Sequence, residues 1–313
     1  MDNPAMPTIR PPTSFRAAVL DIGSVSIRLL VVRTDPGRRM EIEFDQGIIT
    51  RLMSGLTVDS VLTDESINRS LDAITSLVQF IVDRASCRVR CIGTQALRHA
   101  RNADSFMQQV ERISGIPVEV ISADREGRLD WRGSSDLLDP QSLLMDLGGG
   151  STELVFGDCG GDLRVVSLPI GASRPGAIPR NLGFTILHRD GSSKNAHVPI
   201  SRLVCLGGTA TTVAFMTKGI ERWTHGCVHG VEIGRRDIEA VRDRVMQAID
   251  TGHHLRWGIE PGRLELLPSG IQILLEIMTR IEVEMMTVSE QGIRFGLVRE
   301  MFESDLCGNQ AAL

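Results

Sequence analysis

Residues 17–33 read A-A-V-L-D-I-G-S-V-S-I-R-L-L-V-V-R. An apolar run ends at Asp21, the chain turns at Gly23-Ser24, and a second apolar run leaves from Ile27. Runs of Val, Ile and Leu joined by small residues predict two strands and a tight turn. Met40 to Leu52, with partial alternation, adds a third strand and completes a meander. The same opening returns downstream. Leu143 to Asp146 is an apolar strand, Gly148-Gly149-Gly150-Ser151-Thr152 a turn, and Glu153 to Phe156 a returning strand, with Leu163 to Ile170 as the third. Asp21 and Asp146 stand 125 residues apart, each at a strand end before a small-residue turn. That self-similarity predicts a duplicated half, each copy forming one domain, with a cleft between them.

Between the two openings, Thr63 has the chemistry of an N-cap. Ile67, Leu71, Ile74, Val78 and Ile81 follow at helical spacing as one buried stripe. Arg88 to Ile92 reads as a strand, Ala103 to Ile113 as a helix and Val118 to Ile121 as a strand. After the second meander, L-V-C-L-G-G-T at 203–209 is a strand leading into a glycine turn. Helices are expected over Arg236–Ile249 and Ser269–Glu284, the methionines of the latter serving as core filler. Meander, helix, strand, helix, strand is an α/β layer pattern.

A length of 313 residues suits two domains and a core that needs no staples. Hydrophobic residues make up 42%, aromatics only 4% and Gly 31 positions, a globular mixture rather than a disordered or fibrous one. Of 34 basic residues only Lys194 and Lys218 are lysines, a bias read mainly as codon usage. With 39 acids the net charge is −5, which argues against a surface that coats nucleic acid. The six cysteines form no C-x-x-C pair, so neither structural zinc nor a disulfide framework is expected, and their scatter fits a reducing cytoplasm. Met1 to Arg16 carries four prolines and no apolar core of a signal peptide, and reads as a loose tail. No apolar stretch approaches the roughly 20 residues of a membrane span.

A strand-to-turn glycine run presents successive backbone N–H groups with no side chain in the way, a concave site for phosphate oxygens. One such turn is most often only a turn. Here there are two, each preceded by an Asp, in a repeat that makes them face one another. A carboxylate beside a phosphate cradle requires a cation between them, and Mg²⁺ is the natural one. Taken alone, each Asp could simply be a turn former bonding its own backbone. Glu126, in I-S-A-D-R-E-G-R-L at 121–129, lies at the expected crossover between domains. There it could take a proton from an attacking water, or serve only as an acid in a first helical turn.

Together these segments resemble the exopolyphosphatase / guanosine pentaphosphate phosphatase family of the actin-like ATPase superfamily. The resemblance covers roughly Ala17 to Met301. It is carried by D-I-G-S-V-S-I-R-L-L at 21–30, T-Q-A-L-R-H-A-R-N at 94–102 and the segment with Glu126. D-L-G-G-G-S-T-E-L at 146–154, L-P-I-G-A-S-R at 168–174 and G-G-T-A-T-T-V-A at 207–214 follow in the expected order. It implies two actin-like (ribonuclease H-like) α/β domains with an interdomain cleft: a tail over 1–14, domain I over 15–123 plus about 298–313, and domain II over 124–297. It implies Glu126 and Glu153 as catalytic residues and Asp146, Glu153 and Asp21 as ligands of Mg²⁺. Phosphates would be bound by Ser24, Arg98, Gly148, Gly149, Gly150, Ser151, Thr152, Gly207, Gly208 and Thr209. The implied reaction is release of terminal orthophosphate from polyphosphate or guanosine pentaphosphate, without nucleic-acid or membrane partners, in a cytoplasmic protein for which a homodimer is compatible.

The chain departs from the family pattern in several places. Val25 stands where Asn is usual, His99 where Asp is usual, and Arg125 where a Glu precedes the catalytic one. G-I-R-F-G-L stands where R-E-G-L is usual around Gly296, and R-L-E-L-L-P-S-G at 263–270 replaces a more typical R-A-D-x-x-x-A-G. Gly171 to Ser201 looks too short and too rich in Pro and Gly for a crossover helix, with an exposed turn at 190–193. His229 reads as a structural histidine and His253-His254 as a solvated loop pair. Two other readings stand beside the hydrolase. One is a non-catalytic nucleotide or polyphosphate sensor, suggested by Val25 and His99. The other is a kinase of the same fold, which would need an acceptor pocket.

Overall fold

A computed structural model describes residues 15–34, 40–54, 60–81, 86–157, 162–179, 182, 200–251, 259 and 262–310. The tail over 1–14, the turn at 190–193 and His253-His254 lie outside these residues. The first meander is β1 (Phe15–Ile22), β2 (Ser26–Thr34) and β3 (Met40–Ile49). It is followed by α1 (Asp64–Val78), β4 (Cys87–Gly93), α2 (Gln95–His99), α3 (Ala103–Ser114) and β5 (Val118–Val120). Next come α4 (Ala123–Gly133) and the second meander, β6 (Ser142–Leu147), β7 (Thr152–Phe156) and β8 (Arg164–Leu168). The chain continues through β9 (Arg202–Leu206), α5 (Gly208–Lys218), β10 (Glu232–Gly234) and α6 (Arg235–Thr251). It ends with α7 (Leu267–Arg280), β11 (Met285–Val288) and α8 (Ile293–Gln310).

The duplication is explicit in the strand order. The first sheet runs β3-β2-β1-β4-β5; the second, read from the other edge, runs β8-β7-β6-β9-β11, with β10 added outside. In both, the meander is antiparallel and the next two strands run parallel to the first. The chain therefore forms two α/β domains with the same strand order and directions. Among the described residues of 171–201 there is no helix, only a tight turn closed by Gly171 and Arg174.

Each central strand is apolar on both faces because helices cover both sides. Ala18, Leu20 and Ile22 of β1 pack with α1 and α3, whereas Ala17 and Val19 pack with Phe295, Val298 and Met301 of α8. In the second domain Leu143, Met145 and Leu147 face α5, α6 and α7, while Leu144 packs under Trp131 of α4. Thr63 caps α1, its side chain accepting the Ser66 N–H, as the sequence predicts. The helix expected over Ser269–Glu284 stops at Arg280, because Met285 to Val288 is taken as a strand beside β9. Helices α4 and α8 touch each other through glycines: Gly133 meets the backbone of Gln291 and Gly292, and Gly296 meets the backbone of Leu129. Arg125–Glu300 and Arg132–Glu303 ion pairs flank the crossing.

Candidate active site

Asp21 and Asp146 occupy the same place in the two sheets, the penultimate residue of the central strand. Their hairpins are of equal length, so that Asp21 is opposite Arg28 and Asp146 opposite Glu153. The carboxyl ends of parallel strands are where α/β sheets bind ligands. From the other side comes α4, whose N-cap Ser122 accepts the Arg125 N–H and sets Glu126 in the first turn. Glu126 is buried, and Arg98 Nη1 donates to it at 2.7 Å while also holding the Ile121 carbonyl at 2.9 Å. Glu153 accepts from Ser167 Oγ at 2.8 Å and Ser151 Oγ at 3.2 Å.

Carboxylate oxygens of Glu126, Asp146 and Glu153 all lie within 4.8 Å of one another. Burial and mutual repulsion make ionisation costly. Burial, then the charge of Glu153, pushes Glu126 up to about 8; burial, then Glu126 and Asp21, pushes Asp146 to about 7. Glu153 rises to about 7 through burial and Asp146. Asp21 rises to about 6 from burial, restrained by Arg294 and Arg28, and its Oδ1 is buried without a hydrogen-bond partner. A hard oxygen donor set that cannot hold three negative charges by itself, beside an orphaned carboxylate oxygen, fits a divalent cation such as Mg²⁺.

A cavity of about 140 Å³ opens between the two hairpin turns. Asp21, Ser24, Glu126, Asp146, Gly148 to Ser151 and Gly207 to Thr209 all line it, so most residues expected from the sequence converge there. Gly207 has φ 94°, a conformation that side chains resist, and opens α5 toward the cavity. Arg98, expected on a terminal phosphate, forms an ion pair with Glu126 in this structure. Thr152, expected in the cradle, turns its hydroxyl inward to the Ile170 carbonyl at 2.8 Å. His229 uses both ring nitrogens within the fold, one near Asp136 and one accepting the Glu290 N–H, as a structural histidine should.

Two larger cavities flank the central one. One, of about 340 Å³, lies beyond Asp146 and Gly207 and includes Phe215, Trp223, Asp45 and Glu290 in its wall. The other, of about 690 Å³, adjoins Ser24 and Val25 and is lined by Arg51, His99, Arg174 and several serines.

Sequence reading missed Asp130. It lies four residues after Glu126 on α4, fully buried, with Oδ2 unpartnered and the carboxylate accepting the Ile293 N–H. Burial, followed by Asp146, Glu126 and Glu153, raises its pKa well above the usual carboxylate range. The i, i+4 spacing was the available signal, but it needed α4 to be recognised as a helix. Gln95 was missed as well: its side chain reaches both hairpin turns.

Residues 30–175 match the Ppx/GppA phosphatase family. The structure is similar to that of the PPX-GPPA enzyme of Aquifex aeolicus, with 28% identity, 91% of this chain and 99% of that chain covered, and a TM-score of 0.70. It also shares its fold with an exopolyphosphatase from Cytophaga hutchinsonii, at 21% identity, 92% and 98% coverage, and a TM-score of 0.78.

Proposed function

The chain is a relative of the Ppx/GppA phosphatases, and we propose that it is a Mg²⁺-dependent phosphohydrolase that releases terminal orthophosphate from polyphosphate or guanosine pentaphosphate. One observation carries this reading. Glu126, oriented by Arg98, stands within 4.8 Å of Asp146 and Glu153 at the edge of a cavity walled by two facing hairpin turns. Asp146 and Glu153 would hold the metal, with Asp21 beside them. A bound Mg²⁺ would supply the charge that keeps these carboxylates ionised and neutralises phosphate oxygens.

The chain's own residues account for the remaining chemistry. The backbone N–H groups of Gly148 to Ser151, with the Ser24 hydroxyl opposite, position the terminal phosphate in line with water. Ionised Glu126 takes the proton of that water as its oxygen bonds to phosphorus and the terminal phosphoanhydride bond breaks. The shortened chain leaves and orthophosphate forms. Positioning and charge suffice, because this displacement needs no covalent intermediate.

The flanking cavities support both substrate classes. Arg51, His99 and Arg174 offer donors to a continuing phosphate chain. The flat faces of Trp223 and Phe215, near the acids Asp45 and Glu290, suit a purine nucleoside. An acceptor pocket for a kinase reaction has no comparable support among the described residues.

The test is phosphate release from short polyphosphate, guanosine pentaphosphate and ATP with Mg²⁺, for wild type and Glu126→Ala. Release abolished by the substitution supports the proposal. Transfer to an added acceptor would turn it into the kinase reading. Tight binding of substrate without turnover by either protein would leave only a sensor.

A further inference from the structure

We propose that Val25 and Gln95 form a gate across the cleft, closed in the ligand-free chain, which a phosphate chain must displace in passing from the 690 Å³ cavity to the catalytic one. The inference rests on the phosphohydrolase reading for its substrate, but its geometry stands without it.

Val25 belongs by sequence to the turn between β1 and β2. By packing it belongs to the other domain: it is buried in the apolar cluster of Leu147, Ile170 and Ala172. A Cβ added to Gly149 would lie only 3.0 Å from Val25 Cβ, so the valine rests directly on the glycine turn opposite. Its carbonyl accepts the N–H groups of Thr50 at 2.9 Å and Arg51 at 2.8 Å, which fixes the valine from behind. Gln95 completes the closure. Its Nε2 donates to the Gly150 carbonyl at 2.7 Å, and its Oε1 accepts from Ser24 Oγ at 3.4 Å. One carboxamide thus ties the serine of the first turn to the glycines of the second, and occupies the hydroxyl that a phosphate would need.

The position of this contact gives it a function. Ser24 and Val25 line both the 140 Å³ cavity and the 690 Å³ cavity, so they stand at the partition between them. An apolar side chain offers nothing to a phosphate and must be moved, whereas a polar one there would be a ligand. Val25 and Gln95 therefore determine how readily a chain extending beyond one terminal group enters. They are specificity-determining rather than catalytic residues.

Hydrogen exchange on the ligand-free full chain tests the gate. Both altered residues lie in the first domain, and the readout is the amides of 147–152 in the second. Val25→Ala and Gln95→Ala should each speed exchange there about fivefold or more, the effect of removing roughly one buried contact or hydrogen bond. Each variant should also lower KM for long polyphosphate more than for tripolyphosphate. Unchanged exchange at 147–152, or faster exchange confined to the substituted segment, would overturn the gate. So would equal KM changes for both substrates. If exchange responds as expected but no variant or wild-type protein releases phosphate, the functional reading fails and the cross-cleft contact stands.

Discussion

Replacing Gly296 by Ala tests whether the two crossing helices position Glu126, the proposed catalytic base. In an exposed helix interior this change would stabilise by about 1 kcal/mol through helix propensity. Here the added Cβ would overlap the Leu129 carbonyl oxygen and lie 2.7 Å from its carbon and 3.0 Å from its Cα. Carbon atoms in good contact sit about 3.5–4.0 Å apart, so α4 and α8 must separate by about 1 Å. Backbone cannot swing aside as a flexible side chain does. Overpacking of this kind costs about 1–3 kcal/mol, and the figure should reach the upper part of that range because the obstacle is main chain. Net destabilisation of about 1–2 kcal/mol is expected in urea unfolding. The catalytic effect should be larger. Glu126 lies three residues before Leu129 on the same helix, so it moves with it, and a 1 Å misplacement costs about 10²-fold in rate. We expect kcat for phosphate release to fall about 10²-fold with KM nearly unchanged. A variant at least as stable as wild type, with kcat within twofold, would refute the argument.

The raised carboxylates predict a pH-dependent role for the metal. Because Glu126, Asp146, Glu153 and Asp21 titrate higher in the folded chain than unfolded, the folded state holds protons that the unfolded state gives up. Metal-free stability is then greatest below about pH 4 and declines as pH rises to about 8. Melting curves with and without Mg²⁺ should diverge as pH rises from 5 to 8, and parallel curves would contradict the assignment. Asp130→Asn removes one buried acid while keeping an acceptor for the Ile293 N–H. The metal-free melting temperature above pH 7 should rise by about 2–4 °C, and a fall would show that the Asp130 charge is stabilising. Arg98→Lys retains charge but puts a shorter, tetrahedral ammonium in place of the planar guanidinium whose Nη1 donates to both Glu126 and the Ile121 carbonyl. Its kcat should fall about tenfold with the melting temperature nearly unchanged, and wild-type kcat would exclude a positioning role for Arg98.

Much of this arrangement is legible in the sequence because the duplication is local chemistry written twice. The runs ending at Asp21 and Asp146 are apolar on both faces, and small residues follow each, so period and turn agree. Glu126 is legible through its motif. Its partners are less so. Arg98 and Glu126 lie 28 residues apart, and the bond between them depends on β4 and β5 lying side by side. Asp130 escaped notice because α4 carries few apolar residues, and its burial comes from α8, more than 150 residues later. The short strand β11 was not foreseen, since Met285 to Val288 follows directly on the helix predicted to end at Glu284. Pairing with β9, a tertiary choice, decides its state. Val25 looked like a lost phosphate donor, and only the folded cleft shows what it touches.

The two hairpins also explain why, among the described residues, the duplicated frame gathers one cluster of three acids, the proposed metal site, rather than two. Register places residue 28 opposite Asp21 and residue 153 opposite Asp146, equivalent positions seven residues on. In the first hairpin that position is Arg, and Arg28 together with Arg294 offsets the Asp21 charge. In the second it is Glu, and Glu153 adds to the charge of Asp146 instead. The first half therefore answers its acid with two protein cations, while the second, joined by Glu126 from α4, concentrates three acids that Arg98 offsets only in part. On the proposed reading, a single exchange of sign at one register position separates a half that would support phosphate from a half that would bind metal. The same logic reconciles a net charge of −5 with the proposed polyanionic substrate: the acids are buried together at the proposed cation site, and Arg51 and Arg174 line the adjoining cavity.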